Sequence, residues 1–209
     1  MPLQNRVTPE GNIVAFSERG SLMGNRGNLH NLERQVVRVS AHKSWVACRL
    51  EFQGIRRELM KPGSYTELFF LDEATAYSAG HRPCNDCQKD RLKEFRDCWI
   101  AANAPRYNLQ SPTMPLIDGV LHDERIGKQN MKVTYTDDAD RLPDGAFIDY
   151  EGAAYFKWQG RYLEWSAGGY VNAITLPLKT AVPVLTPKSI VRCFHNGLVP
   201  EVHISASKL

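Results

Sequence analysis

The stretch that most limits what this chain can become is Phe70 to Phe95, FLDEATAYSAGHRPCNDCQKDRLKEF. Asp72 can cap the free N–H groups of a short helix over residues 73–79, and Gly80 suits the left-handed position that ends it. Pro83 cannot continue a helix, so the chain around it must run extended or turn. Asn85 or Asp86 can then cap a longer helix that reaches about Asn103 and stops before Pro105. In that helix Leu92, Phe95, Trp99 and Ala102 recur at helical spacing, with Cys98 packed beside them. The run therefore predicts helix, glycine stop, Cys-x-x-Cys turn and helix.

The flanking sequence alternates between punctuation and short β patterns. Residues 1–32 read as loop and short extended pieces, broken by Gly11, Gly20, Gly24 and Gly27. Segments 34–40 (RQVVRVS) and 44–52 (SWVACRLEF) read as strands. Gln53-Gly54 turns the chain back through Ile55 to Met60 as a hairpin, and 64–70 is a further strand. In the second strand Val46, Cys48, Leu50 and Phe52 share one face, so Cys48 reads as a small buried hydrophobe in preference to a ligand. A third helix is expected near Leu116 to Ile126, with Ile117, Val120 and Leu121 inward. Beyond Asn130 strands are expected at 131–135, 146–150, 153–158 and 161–165, with turns at 137–140 and 142–145. Thr186-Pro187 opens a last helix over 188–195, closed by Gly197, with His203 and Ser205 in a final strand or tail. The fold class expected is α+β. A small antiparallel sheet, the Cys-x-x-Cys knuckle and helices form the N-terminal half, and a β-rich C-terminal half ends in a short helix. One domain over 1–209 is expected, with lobes at 1–104 and 105–209.

Of the 209 residues, 43% are hydrophobic and 23% charged, enough for one sizeable core. No apolar run approaches the roughly 20 residues that span a bilayer. The N-terminus lacks the apolar core of a signal peptide, and five cysteines do not make a disulfide framework. These features point to a cytoplasmic protein with reduced thiols and no membrane partner. The net charge of +3 is modest, but residues 26–61 carry eight Lys or Arg, among them Arg26, Arg34, Arg38, Lys43, Arg56 and Arg57, against Glu33, Glu51 and Glu58. Such a lobe suits an anionic partner, or is a solvated face.

The run Phe70-Leu71-Asp72-Glu73-Ala74 through Gly80-His81-Arg82-Pro83-Cys84-Asn85-Asp86-Cys87 resembles the second half of the zinc-binding domain of Ada-type DNA repair proteins, over about 25 residues. The resemblance implies a zinc knuckle with Cys84 and Cys87 as ligands, and a protein that works on DNA. The family's upstream cysteine pair, which includes its methyl acceptor, has no counterpart here, since residues 53–69 contain no cysteine. Methyl transfer is therefore not implied. A closed zinc site needs four ligands. His81, Cys48, His42, His30 and His122 are the candidates for the remaining two, and sequence distance does not choose among them.

These readings give three function classes. A DNA-acting protein, an enzyme of repair or modified-base processing (a hydrolase or lyase) or a binding module, would contact nucleic acid through Asn25, Arg26, His30, Arg56, Arg57 and Arg82. Its acid/base groups would come from Asp118 and His122, one helical turn apart, with Glu124 as a neighbour; the same pair can instead be an exposed helix contact. Pro2, if exposed as a secondary amine, could add iminium chemistry. A small-molecule enzyme would use Cys84 as nucleophile, its thiolate favoured by Arg82 and a helix N-terminus, and His81 or His122 as base. A metal-stabilised interaction domain would have no chemistry.

Overall fold

The computed structural model describes residues 1–54 and 58–209. The molecule is organised on helix α1 (Glu73–Ser78), a single short helix with all six residues buried. Its cap is the one expected: Asp72 Oδ1 accepts from the Thr75 N–H at 2.8 Å and from the Thr75 hydroxyl at 2.7 Å. Gly80 follows with φ of +83°. Six residues cannot hold a helix in water by themselves. Burial does so here, because α1 feeds three apolar clusters. Ala74 packs with Phe147, Phe156 and Leu163, Tyr77 with Phe95, Trp99 and Phe194, and Ala76 and Ala79 with Leu29, Leu68 and Phe70.

On one side lies a sheet of β1 (Arg6–Val7), β2 (Ile13–Val14), β3 (Leu22–Asn25), β4 (Val46–Arg49), β5 (Leu68–Phe70) and β6 (Arg82–Pro83). Their spatial order is β2-β1-β5-β3-β4-β6. Two pairings are parallel, β1 with β5 and β4 with β6. The second sheet comprises β7 (Tyr135–Asp138), β8 (Phe147–Tyr150), β9 (Ala153–Trp158), β10 (Arg161–Ser166), β11 (Gly169–Ile174) and β12 (Ala181–Val184), in the order β11-β10-β9-β8-β12-β7. It is antiparallel throughout. Helices α2 (Lys89–Asn103), α3 (Met114–Arg125) and α4 (Lys188–His195) pack together through Phe95, Trp99, Ile117, Leu121, Ile190 and Phe194. Among the described residues no helix is long and apolar enough to cross a membrane.

The α+β composition agrees with the sequence, as do β9 and α4 at their boundaries. Several elements differ for local reasons. Residues 34–40 form no strand; Val36 makes one isolated bridge with His30. Asn31 Oδ1 accepts from the Glu33 and Gln35 N–H groups, so a side chain takes over bonds that a strand partner would have made. The return arm of the expected hairpin falls partly on Ile55–Arg57, outside the described residues. At its end Met60 has φ of +52° and donates its N–H to Glu67 Oε2. Helix α2 starts at Lys89 behind Gln88, not behind Asn85 or Asp86, because those two residues lie in the Cys-x-x-Cys turn. The strand expected at 131–135 lies at Tyr135–Asp138, where β12 pairs it. Strands β11 and β12 were not foreseen, and the C-terminal piece is a 3-10 turn, Ile204–Ser207.

Candidate metal centre and neighbouring basic pocket

The Cys-x-x-Cys turn is positioned by backbone pairing. In the parallel register of β4 and β6, Val46 faces Arg82 and Ala47 faces Pro83. Continuing by one residue sets Cys48 beside Cys84, and the Cys84 N–H donates to the Ala47 carbonyl at 2.9 Å. Gln88 Nε2 donates to the same carbonyl at 2.8 Å and pins the far end of the turn. Pro83 fits an edge strand, where its missing N–H leaves no ladder bond unmade. The turn then folds back so that Cys87 joins the other two. The thiols of Cys48, Cys84 and Cys87 all lie within 4.8 Å of one another. Among the described residues they are the one group of three or more His, Cys, Asp or Glu side chains so close.

Backbone donors converge on this group. The Asp86 N–H lies 3.4 Å from Cys84 Sγ and the Arg49 N–H 3.3 Å from Cys87 Sγ. Such bonds favour thiolate over thiol. The S–H bond from Cys48 is the largest influence on Cys84, which is drawn down to about 5, aided by the backbone N–H groups of Cys87 and Asp86. The same bond, together with burial, pushes Cys48 up, and burial raises Cys87. The trio thus holds one negative charge readily and two more at a cost that a cation would remove. All three cysteines line a pocket of about 520 Å³, whose walls include Asn25, Tyr65, Asp86 and Lys89.

The donor set fits zinc. Three soft sulfurs select zinc over hard cations. Sulfurs about 2.3 Å from a tetrahedral zinc stand about 3.8 Å from one another, inside the spread seen here.

Other residues singled out in the sequence go elsewhere. His81, a candidate ligand, is fully buried between Phe70 and Trp45, with ring centroids at 4.6 and 5.1 Å. Its Nε2 accepts from Arg26 Nε at 3.1 Å, so it stands outside the sulfur cluster. Burial, reinforced by the charges of Arg26 and Arg125, holds it well below the usual histidine range and keeps it neutral. Arg82 is also internal: Nε and Nη2 donate to the two carboxylate oxygens of Asp118 at 3.0 and 2.9 Å, and further bonds reach Ser44 Oγ, Asn85 Oδ1 and the Pro83 carbonyl. Asp118 is thereby committed to Arg82 and not to His122. His122, half-buried, has Nδ1 3.4 Å from Arg125 Nη2. Glu124 accepts from the Ser189 N–H and hydroxyl and from the Tyr107 hydroxyl, tying α3 to α4. Asp118, His122 and Glu124 therefore serve three separate contacts. His30 is buried, donating from Nε2 to the Lys61 carbonyl and accepting at Nδ1 from Thr66 Oγ1 at 2.6 Å. His42 is exposed, and Arg56 and Arg57 lie outside the described residues. Among the described residues of the nucleic-acid set, Asn25 alone lines the thiol pocket.

Trp45, Arg125 and Lys132 were not singled out as site residues. The guanidinium carbons of Arg26 and Arg125 lie 3.9 and 4.0 Å from the Trp45 ring centroid. The sequence signal for this arrangement was slight: a tryptophan at a strand edge in a basic segment.

No family model, curated protein or solved structure matches the chain, so the likeness of residues 70–95 to Ada-type zinc domains rests on those residues alone.

Proposed function

We propose that the chain is a zinc protein in which Cys48, Cys84 and Cys87 hold the metal and the fourth position faces the 520 Å³ pocket. The observation that carries this is that all three clustered thiols are pocket-lining. Three protein ligands with one position left for solvent or substrate is the arrangement of catalytic zinc, whereas structural sites are closed by a fourth side chain. Bound zinc would supply Lewis-acid character at the pocket floor. The chain's own groups supply the rest. Asp86 offers a carboxylate, Lys89 a cation, and Asn25 an amide already oriented by accepting the Gly27 N–H at 2.7 Å. These groups support a polar ligand at the open metal position, and hydrolysis of that ligand is the reaction such a position favours.

Elemental analysis of protein purified without added metal tests the reading. One zinc per chain is expected, lost in Cys48→Ser and Cys84→Ser and retained in Cys98→Ser. In the cobalt-substituted protein, added imidazole or azide should shift the visible spectrum, which a closed four-ligand site would resist. Absence of bound metal, or a cobalt spectrum indifferent to added ligands, overturns it.

A second reading, that the ligand is carried on DNA, has one specific support. Arg38, Lys43, Arg49 and Lys61 are exposed on the lobe that carries the thiols. Affinity for a duplex oligonucleotide should fall steeply between 50 and 200 mM salt if these cations release counterions. Binding that ignores salt removes this reading and leaves the zinc centre standing.

A further inference from the structure

A second cavity, of about 360 Å³, opens beside Trp45. Four cations line it, Arg26, Arg38, Arg125 and Lys132, against one acid, Glu10. Arg26 and Arg125 are each only 1% exposed. Among the described residues no carboxylate comes within salt-bridge distance of Arg26, Arg125 or Lys132. Buried cations are ordinarily paired, because an unpaired charge loses its hydration without recompense. Here the partners are neutral. Arg26 donates to His81 Nε2 and to the Gly11 carbonyl at 3.0 Å. Arg125 donates to the Gly80 and Lys43 carbonyls, and Lys132 to the Ser78 carbonyl at 2.6 Å. Donors remain over: Arg26 Nη2 and Arg125 Nε are buried with no acceptor. Gly11 adjoins Nη2, where a Cβ would stand 3.8 Å away.

We propose that this cavity binds the phosphate group of a small phosphorylated molecule, with Arg26, Arg38 and Lys132 as its ligands and Trp45 with Arg125 as its floor. A dianion matches the excess of positive charge, and a tetrahedral oxyanion accepts from donors that converge from different elements, as guanidinium and ammonium groups do here. The cavity exceeds the size of the phosphate alone, and Val36, Val37 and Ile13 give the remainder an apolar wall. The displaced titrations agree. Burial and the charge of Arg125 lower Arg26, burial takes Arg125 down to about 9, and burial with the charge of Arg26 takes Lys132 down to about 7. An anion would reverse each of these. The zinc centre is not required for this site, and the two stand or fall separately.

Calorimetric titration of the full chain with inorganic phosphate, sulfate and adenosine monophosphate, in chloride buffer of matched ionic strength, tests the assignment. Saturable binding is expected for all three, tightest for the organic phosphate. Lys132→Gln and Arg38→Ala should each weaken it about tenfold, with circular dichroism unchanged. Arg26→Met should abolish it. If that variant does not fold, the two others still decide. No binding above chloride, equal binding in Lys132→Gln and Arg38→Ala, or a preference for duplex DNA over small phosphates at equal phosphate concentration overturns the proposal.

Discussion

Asp118→Ala probes the polar strut beneath the Cys-x-x-Cys turn. The Asp118 and Arg82 side chains are 6% and 2% exposed, joined by a two-bond carboxylate–guanidinium contact. Replacing the acid leaves a buried guanidinium with Ser44, Asn85 and the Pro83 carbonyl as its acceptors. Breaking a buried pair by removing one member costs about 3–5 kcal/mol, most of it from the charge left behind. For a chain of this size that corresponds to a fall of roughly 10 °C in melting temperature. The assay is urea unfolding of wild type, Asp118→Ala, Arg82→Met and the double variant, with metal chelated throughout so that zinc linkage does not mask the loss. The double variant should be less destabilised than the sum of the singles, since it leaves neither charge unpaired. Because Arg82 directly precedes Pro83-Cys84, Asp118→Ala should also weaken zinc binding in a separate titration. A cost under about 1 kcal/mol for Asp118→Ala would refute the reasoning, because it would mean the pair is hydrated and not a strut.

Gly80→Ala should destabilise by about 2 kcal/mol or more, since φ there is +83° and the new Cβ would meet Arg125 Cδ at 2.5 Å; thermal melts measure the loss, and the displaced Arg125 should also lower phosphate affinity. Sulfate keeps its charge across neutral pH, so its affinity should fall as pH rises from 6 to 8, when Lys132 loses its proton near 7. Lys132 is faced by Glu10, Arg26 and Arg125, and Lys132→Gln should flatten the profile. Without anion the same lowered group makes stability rise with pH. The unfolded chain binds the proton up to the ordinary 10.5 while the folded chain releases it near 7, so the contribution is lost as pH falls through 7.

Local signals carried the central stretch well, and long-range ones failed where pairing is non-local. Asp72, Gly80 and the Phe95–Trp99 stripe could be read because caps, left-handed stops and helical periodicity act within a few residues. The third thiol was legible only as an ambiguity. Cys48 is buried, but the face it was expected to share is not: Leu50 is exposed, and Val46 and Phe52 are half-buried along the pocket that holds the sulfur cluster. What decides is a two-residue parallel strand, Arg82–Pro83, that no propensity could announce. The same limit hid the role of Arg82, whose partner is 36 residues away on α3. Cations in a basic segment look alike in sequence, yet Arg26 is buried while Arg38 and Lys43 are exposed. Counting charge in that segment pointed to an anionic partner without showing that the strongest donors point inward.

The run His81-Arg82-Pro83-Cys84 carries the two proposed sites in four consecutive residues. His81 accepts from Arg26 at the phosphate pocket, Arg82 holds Asp118, and Cys84 enters the sulfur cluster. Strand β4 repeats the pattern, with Trp45 just before it under the two guanidiniums and Cys48 within it at the thiols. Both ligands would therefore fix the same β4–β6 register. Beside its two ligands the two-residue strand is held chiefly by the Arg82–Asp118 strut, so ordering it once should make the second ligand cheaper to bind. Phosphate affinity measured with and without zinc should differ by about five-fold or more, and zinc affinity with and without phosphate by the same factor, as linkage requires. The Asp118→Ala variant, with its strut removed, should show the larger coupling, because the register then depends more on the ligands. If phosphate binds within twofold of the same affinity in zinc-loaded and zinc-free protein, the β4–β6 pairing is already rigid without either ligand, and the two sites share a strand without sharing free energy.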